Sequence, residues 1–273
     1  MMNIKYGISS LVFLPESLQS SMDKIVKNNF DCWEVVCEGS HELNRGNIDY
    51  LKKLKDEYNN GNVEISIHAP FSDLNPCSMN DRIRKLTVDC IRDSIIGGYE
   101  LGCKIITIHP GYAPPLWSKF TEDLLDNNYT VLREIVSIAE EYDITVGLEN
   151  MPNYPGVFGV SPEDLRNIIR DIDTKHLGIT YDIGHGNTFK GIDNATFIKE
   201  LNKIGKGIVH IHCHDNNGKE DEHLKVGDGS IDFKSVFKVL KEIEYNGVVV
   251  MESKNIRDGI ISRDRIKNIV ANL

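Results

Sequence analysis

The chain has 273 residues, 40% hydrophobic and 26% charged, a balance that points to an ordinary globular protein and away from a disordered or fibrous one. No run of about eighteen apolar residues occurs, so no membrane partner is expected, and the opening MMNIKYGISSLVFL lacks the charged start and long apolar stretch of a secretory leader. The formal net charge of −10 argues against the broad basic surface of a nucleic-acid footprint.

Short β-branched runs recur along the chain. Strands are predicted near 5–10 (KYGISS), 32–37 (CWEVVC), 64–69 (EISIHA), 105–110 (IITIHP), 145–150 (TVGLEN), 177–183 (LGITYDI), 208–214 (IVHIHCH) and 247–253 (GVVVMES). Between them lie segments with helical punctuation. The long segment 79–101 stops at Gly102, a residue suited to a left-handed terminus. In SPEDLRNIIRDI, Ser161 is placed as an N-cap, with Pro162 in the first turn and Asp164 three residues after the cap. In DFKSVFKVLKEIEYNG, Phe233, Val236, Phe237, Leu240 and Ile243 form one apolar stripe, with Gly247 just beyond.

Eight alternations of strand and helix mean a parallel sheet, and eight units in about 250 residues fit a closed (β/α)8 TIM barrel. The expectation is a single domain over residues 1–273, because no linker, low-complexity tract or close repeat interrupts the chain. An open doubly wound sheet would call for a Gly-rich dinucleotide loop after the first strand, and SSLVFLPES is not one. The six cysteines (Cys32, Cys37, Cys77, Cys90, Cys103, Cys213) show no paired spacing, as expected of reduced thiols in a cytoplasmic protein.

In such barrels chemistry sits at the carboxyl ends of the strands. His68, His109, Glu149, Asp182, His212 and Glu252 fall at or near six successive strand ends, between 30 and 41 residues apart. A closed ring would make these side chains converge on its axis. Three carboxylates pushed together repel and take up protons unless a cation joins them, and imidazoles complete such a shell. The stretch HIHCHDNNGKEDEHLKVGDG (210–229) adds more candidates: Asp221 and His223 follow in a Gly-flanked loop, within reach of His185. His41 and His176 read as structural histidines. His210 shares a strand face with His212 but lies deeper, as a hydrogen-bonded core residue would. His214 remains open between ligand and bystander, and Asp215 reads as a turn or supporting residue. Lys254, two residues beyond Glu252, points the same way and could hold an anionic group, although a solvated role is the simpler reading. The GDGS turn could hold a phosphate on its backbone amides.

The motifs IHAPF, TIHPG, GLEN, YDIGH, HIHCHD, DEHLKVGDGSIDF and VVMES resemble the strand-end motifs of the xylose-isomerase-like barrel superfamily, which includes sugar and sugar-phosphate isomerases and epimerases as well as apurinic endonuclease IV. The resemblance spans nearly the whole chain, with the motifs in the family's order. The ketose-epimerase branch implies one ion held by Glu149, Asp182, His212 and Glu252. The two glutamates would move a proton on and off the carbon beside the carbonyl, and His185 would contact substrate. The endonuclease branch implies three ions: one on His68, His109 and Glu149, one on the four-residue set, and one on His185, Asp221 and His223.

Departures separate the branches. The endonuclease branch opens with a GAHVS-like first strand and carries an Arg-containing loop after the second, where this chain has YGISSLVF and VVCEGSHEL; Phe71 stands where that branch has a Tyr. The epimerase branch has a substrate-binding Arg where this chain has Gly218. The loops EGSHELNRGN and PFSDLNPCSMNDR set Glu38, Glu42 and Asp73 against Arg45 and Arg82, which leaves little positive field for phosphates. The expectation is therefore a metal-dependent isomerase or epimerase of a small sugar, ketose or sugar phosphate, carrying two or three divalent ions, zinc or manganese. A metal-dependent abasic-site endonuclease, with DNA as its partner, is the alternative.

Overall fold

In the computed structural model, which describes residues 2–58, 63–169 and 172–273, eight parallel strands pair in chain order and close into a barrel. They are β1 (Lys5–Ser9), β2 (Cys32–Val36), β3 (Glu64–His68), β4 (Ile105–Ile108), β5 (Thr145–Glu149), β6 (Leu177–Asp182), β7 (Ile208–Cys213) and β8 (Val248–Met251). The ring closes where Tyr6 pairs with Val249 and Ile8 with Met251. Around it lie α1 (Leu18–Lys27), α2 (Ile48–Tyr58), α3 (Asp81–Leu101), α4 (Thr121–Glu141), α5 (Pro162–Ile169), α6 (Ile183–Thr188), α7 (Asn194–Asn202), α8 (Phe233–Glu242) and α9 (Ile256–Ala271). No helix among the described residues is long and apolar enough to cross a membrane.

Local chemistry sets most helix ends as expected. Gly102 takes the left-handed conformation (φ 88°) that terminates α3. Ser161 and Asp164 cap α5 reciprocally: the Asp164 amide donates to Ser161 Oγ at 3.1 Å and the Ser161 amide to Asp164 Oδ2 at 3.2 Å. Arg170 and Asp171, at the end of that segment, lie outside the described residues. Two boundaries differ from the expectation. The left-handed residue after α8 is Glu244 (φ 57°), with Gly247 left to pass close to the Tyr245 ring. The run expected to stay extended through residue 183 turns into α6 directly after β6, because Asp182 caps it, accepting from the His185 amide at 2.6 Å.

The apolar core fills the layer between barrel and helices, with Trp33, Ile67, Ile106, Tyr181 and Phe237 fully buried. Each such side chain contributes about 1.5–3 kcal/mol by leaving water. The barrel interior carries many polar residues beside a small apolar group of Cys32, Val248 and Val250. Glu34, Ser66, Thr107, Thr180, His210 and His212 are all buried, and Thr107 and Thr180 meet hydroxyl to hydroxyl at 2.9 Å. Gly147 permits this, since a Cβ there would stand 2.1 Å from Thr180 Oγ1. The apolar shell carries the fold, and the polar residues inside support what stands at the mouth.

Candidate metal centre

Three groups of lone pairs converge at the carboxyl end of the barrel. In the first, His68 Nε2 lies 3.3 Å and His109 Nε2 2.9 Å from Glu149 Oε2, and the two nitrogens are 3.1 Å apart. His68 Nδ1 faces the Ala69 carbonyl at 2.9 Å and can only donate there. In a neutral ring Nε2 is then a bare acceptor. His109 Nε2 has one hydrogen at most to share between two acceptors, His68 Nε2 and Glu149 Oε2, so one lone pair stays unmatched in the neutral group.

The second group surrounds His212 Nδ1. Glu149 Oε1 lies 2.8 Å away, Glu252 Oε1 3.3 Å and Asp182 Oδ2 4.0 Å. Register explains the meeting, because Asp182 stands opposite His212 across β6 and β7. Asn150 locks the neighbouring strand end: its Oδ1 accepts from the Asp182 amide at 2.7 Å and its Nδ2 donates to the Asp182 carbonyl at 3.0 Å.

The third group lies outward. His185 Nδ1 donates to the Asn150 carbonyl at 2.8 Å, which turns Nε2 toward Asp221 Oδ2 at 3.3 Å. His223 Nε2 reaches the same oxygen at 3.0 Å. His214 Nε2 lies 3.2 Å from both Asp182 Oδ1 and Asp221 Oδ1, yet neither His214 Nε2 nor Asp221 Oδ1 makes a hydrogen bond. Two orphaned ligand atoms at that separation match the edge of a coordination shell, roughly 3.3 Å for tetrahedral bonds of about 2.0–2.1 Å. Without an ion, such buried unpaired atoms are costly.

Electrostatics agree with the geometry. Burial works against the charge on Glu149, but the facing His212 and His109 rings overturn it and hold the carboxyl well below its usual range. Asp182 is likewise held down to about 2, against burial, by His185 and His214. Burial disfavours the charged His212 ring, and Glu34, Glu149 and Glu252 raise its pKa well above the ordinary value. For His109 burial prevails and the pKa falls.

All nine residues singled out in the sequence as ligand types stand in these three groups. His214, left open in the sequence, stands beside them in the third. Gly184 makes room for it, since a Cβ there would sit 1.9 Å from the imidazole. Glu34 was missed: fully buried on β2, it accepts from His210 Nε2 at 2.8 Å, and His212 Nε2 lies 3.2 Å from it. Its signal was a single carboxylate inside the apolar run CWEVV. His210 is a core residue, as expected. His41 is also structural, with its two nitrogens on Ser10 Oγ at 3.0 Å and the Glu16 carbonyl at 3.1 Å.

The GDGS turn is not a phosphate cradle. Asp215 already accepts from the Gly227 amide at 2.8 Å, the Gly229 amide at 3.0 Å and the Ile231 amide at 3.3 Å, while the Ser230 amide donates to the Asn216 carbonyl at 2.9 Å. Asp215 is thus the turn's organiser. Lys254 is exposed on the rim of a groove of about 580 Å³ that Asp221, His223 and Ser253 also line.

A closed eight-stranded barrel with ligand-type residues on successive strand ends defines a class. The chain belongs to the xylose isomerase-like TIM barrel family, which matches residues 22–270. It is 57% identical over 266 residues to the uncharacterized protein MJ1311 of Methanocaldococcus jannaschii, covering 97% of this chain and 89% of that one. A crystal structure of a D-tagatose 3-epimerase-like protein is 56% identical, with a TM-score of 0.91 over 98% of this chain and 97% of that one. D-psicose 3-epimerase of Enterocloster bolteae is 24% identical over 96% of this chain and 86% of its own. A protein named Probable endonuclease 4, from Mesoplasma florum, is 25% identical over 82% of this chain and 78% of its own.

Proposed function

We propose that this chain is a divalent-metal-dependent epimerase or isomerase of a small sugar, ketose or sugar phosphate, working by proton transfer through an enediolate. One observation carries the reading. Two glutamates from separate strands, Glu149 and Glu252, approach the same nitrogen, His212 Nδ1, at 2.8 and 3.3 Å. A substrate seated there would have a carboxyl group on either side. The epimerase names of relatives, one of them 56% identical, support the same class.

The residues fit divalent ions. Glu149, Asp182, His212 and Glu252 would hold one, His68, His109 and Glu149 a second, and His185, Asp221, His223 and His214 a third; this mixed oxygen and nitrogen set suits zinc or manganese. A bound ion would supply Lewis-acid polarisation of the carbonyl and stabilise the enediolate. Glu149, held ionised, takes the proton from the carbon beside the carbonyl. Glu252, across His212 Nδ1 from Glu149, is placed to return a proton. Delivery to the opposite face inverts that carbon, and delivery to the former carbonyl carbon moves the carbonyl instead. When the outer group is unfilled, His185 steadies a substrate oxygen, with its ring fixed by the Asn150 carbonyl.

The endonuclease reading is favoured by one feature: all three groups of the trinuclear set come together. The mouth disfavours it. Glu38, which faces the loops around that mouth, is used as a staple, accepting from the Phe71 and Ser72 amides at 2.8 Å each. That sets a carboxylate between loops that a DNA backbone would approach. Incubating the Mn²⁺-loaded protein with a ketohexose panel in heavy water and reading α-carbon deuteration tests the proposal. Exchange supports it, and its absence with every ketose and sugar phosphate tried counts against it.

A further inference from the structure

Beneath the proposed centre, inside the barrel, lies a group with no part in the proton transfer described above. Glu34 is fully buried, as are His210 and His212. Its Oε2 accepts from His210 Nε2 at 2.8 Å and from Ser66 Oγ at 3.2 Å. Both of its oxygens lie 3.2 Å from His212 Nε2. These contacts come from three other strand positions, so the carboxylate is fixed on several sides. The 2.8 Å separation from His210 is that of a charge-assisted hydrogen bond.

His212 has two nitrogens and two kinds of neighbour. Nε2 points down at Glu34, and Nδ1 points up at Glu149, Glu252 and Asp182. A carboxylate can only accept, so its partner nitrogen must carry hydrogen. Without an ion Nδ1 also faces carboxylates and carries hydrogen by the same rule; an ion among them would displace that hydrogen, while Glu34 keeps the one on Nε2. We propose that Glu34 is a positioning residue. It holds His212 in the Nε2–H form and orientation that present Nδ1 to a divalent ion, with His210 and Ser66 clamping Glu34 from the other side.

The inference rests on His212 being a ligand, as the proposed function has it. Carboxylates that orient ligand imidazoles in this way are worth 10–100-fold in metal affinity. A charge placed only to balance the interior would alter folding stability without setting which nitrogen meets the ion.

Two measurements on the full chain test this, and neither uses a sugar, so failure of the epimerase reading would leave them interpretable. Nitrogen-15 NMR of the Zn²⁺-loaded protein should show His212 with its hydrogen on Nε2, protected from exchange, and its ion on Nδ1. Mn²⁺ titration against a competing chelator should show Glu34→Gln binding about 10–100-fold more weakly than the unaltered chain. Lys238→Ala, on the exposed face of α8, should bind within about threefold. An ion on His212 Nε2 would overturn the proposal even if Glu34→Gln failed to fold. Unchanged Mn²⁺ affinity in a folded Glu34→Gln protein would overturn it as well.

Discussion

His214 lies flat against His223, ring centroids 4.1 Å apart and planes 11° apart, and both rings turn Nε2 toward the Asp221 carboxylate. That carboxylate also meets His185 Nε2 at 3.3 Å. Three imidazole nitrogens and a carboxylate converging on one spot make a ligand set for a divalent ion. The purified protein should therefore hold at least two equivalents of divalent metal, read by elemental analysis. His185→Ala or His223→Ala should lower the count by about one while the barrel stays folded. Full activity after exhaustive chelation would remove metal from the account.

The glycine beneath this stack offers an independent check. A Cβ at residue 184 would stand 1.9 Å from His214 Cε1. Gly184→Ala should displace the ring, cost roughly 1–3 kcal/mol by overpacking, and lose the outermost ion. Thermal melts and metal analysis read both effects. An intact metal count would show that the outer ion does not need His214.

Glu149→Gln and Glu252→Gln address the chemistry. If these carboxyls move protons, each variant should bind substrate within about tenfold of the unaltered chain and lose roughly 10²-fold or more in turnover. The amides are weaker ligands, so metal content has to be measured alongside. Normal turnover with intact metal would take either residue out of the proton transfer.

The outer group also predicts a pH dependence. Burial pulls the His223 ring down, and Asp221 and Glu252 outweigh it, lifting the metal-free pKa from the ordinary 6.5 to about 9. A folded pKa above the unfolded one stabilises fully below about pH 6.5, and that contribution is lost as pH rises through about 9. Asp221 is shifted downward, against burial, by His185 and His223, so its contribution is present above the ordinary 3.8 and is lost only in stronger acid. Calorimetry of the metal-free protein should show a falling melting temperature between pH 6.5 and 9. The Mn²⁺-loaded protein, with the ion in place of the proton, should not show it. Equal pH profiles for the two forms would contradict the assignment.

The barrel was legible because strand and helix signals alternate eight times, and the mouth because ligand-type residues recur once per unit. What the sequence hid has local causes. The alternation of His210, His212 and His214 puts all three on one face, but β7 ends at Cys213, and the backbone turn after it sends His214 toward Asp221 rather than the axis. Glu34 was hidden in a run that reads as apolar, although period-two counting from Cys32 would have turned it inward. The helix α6 was obscured by two poor helix formers, Gly184 and Gly186; the Asp182 cap starts it nonetheless. The GDGS turn looked free because backbone amides carry no mark of their partner, here Asp215 fourteen residues upstream of Gly229.

The central claim is that this mouth moves a proton on a small sugar. The most direct measurement follows deuterium entering the α-carbon of a ketose in heavy water with Mn²⁺, beside a parallel incubation with an abasic-site duplex. Turning a nucleotide out of a duplex costs a few kcal/mol, which inserted side chains and phosphate contacts must offset. The loops after β2 and β3 set Glu38, Glu42 and Asp73 against Arg45 and Arg82 and supply little for that. The account predicts metal-dependent deuteration that Glu149→Gln abolishes, and no specific duplex binding near physiological salt. Metal-dependent nicking at the abasic site at enzyme-like rates, with no exchange on any ketose, would contradict it.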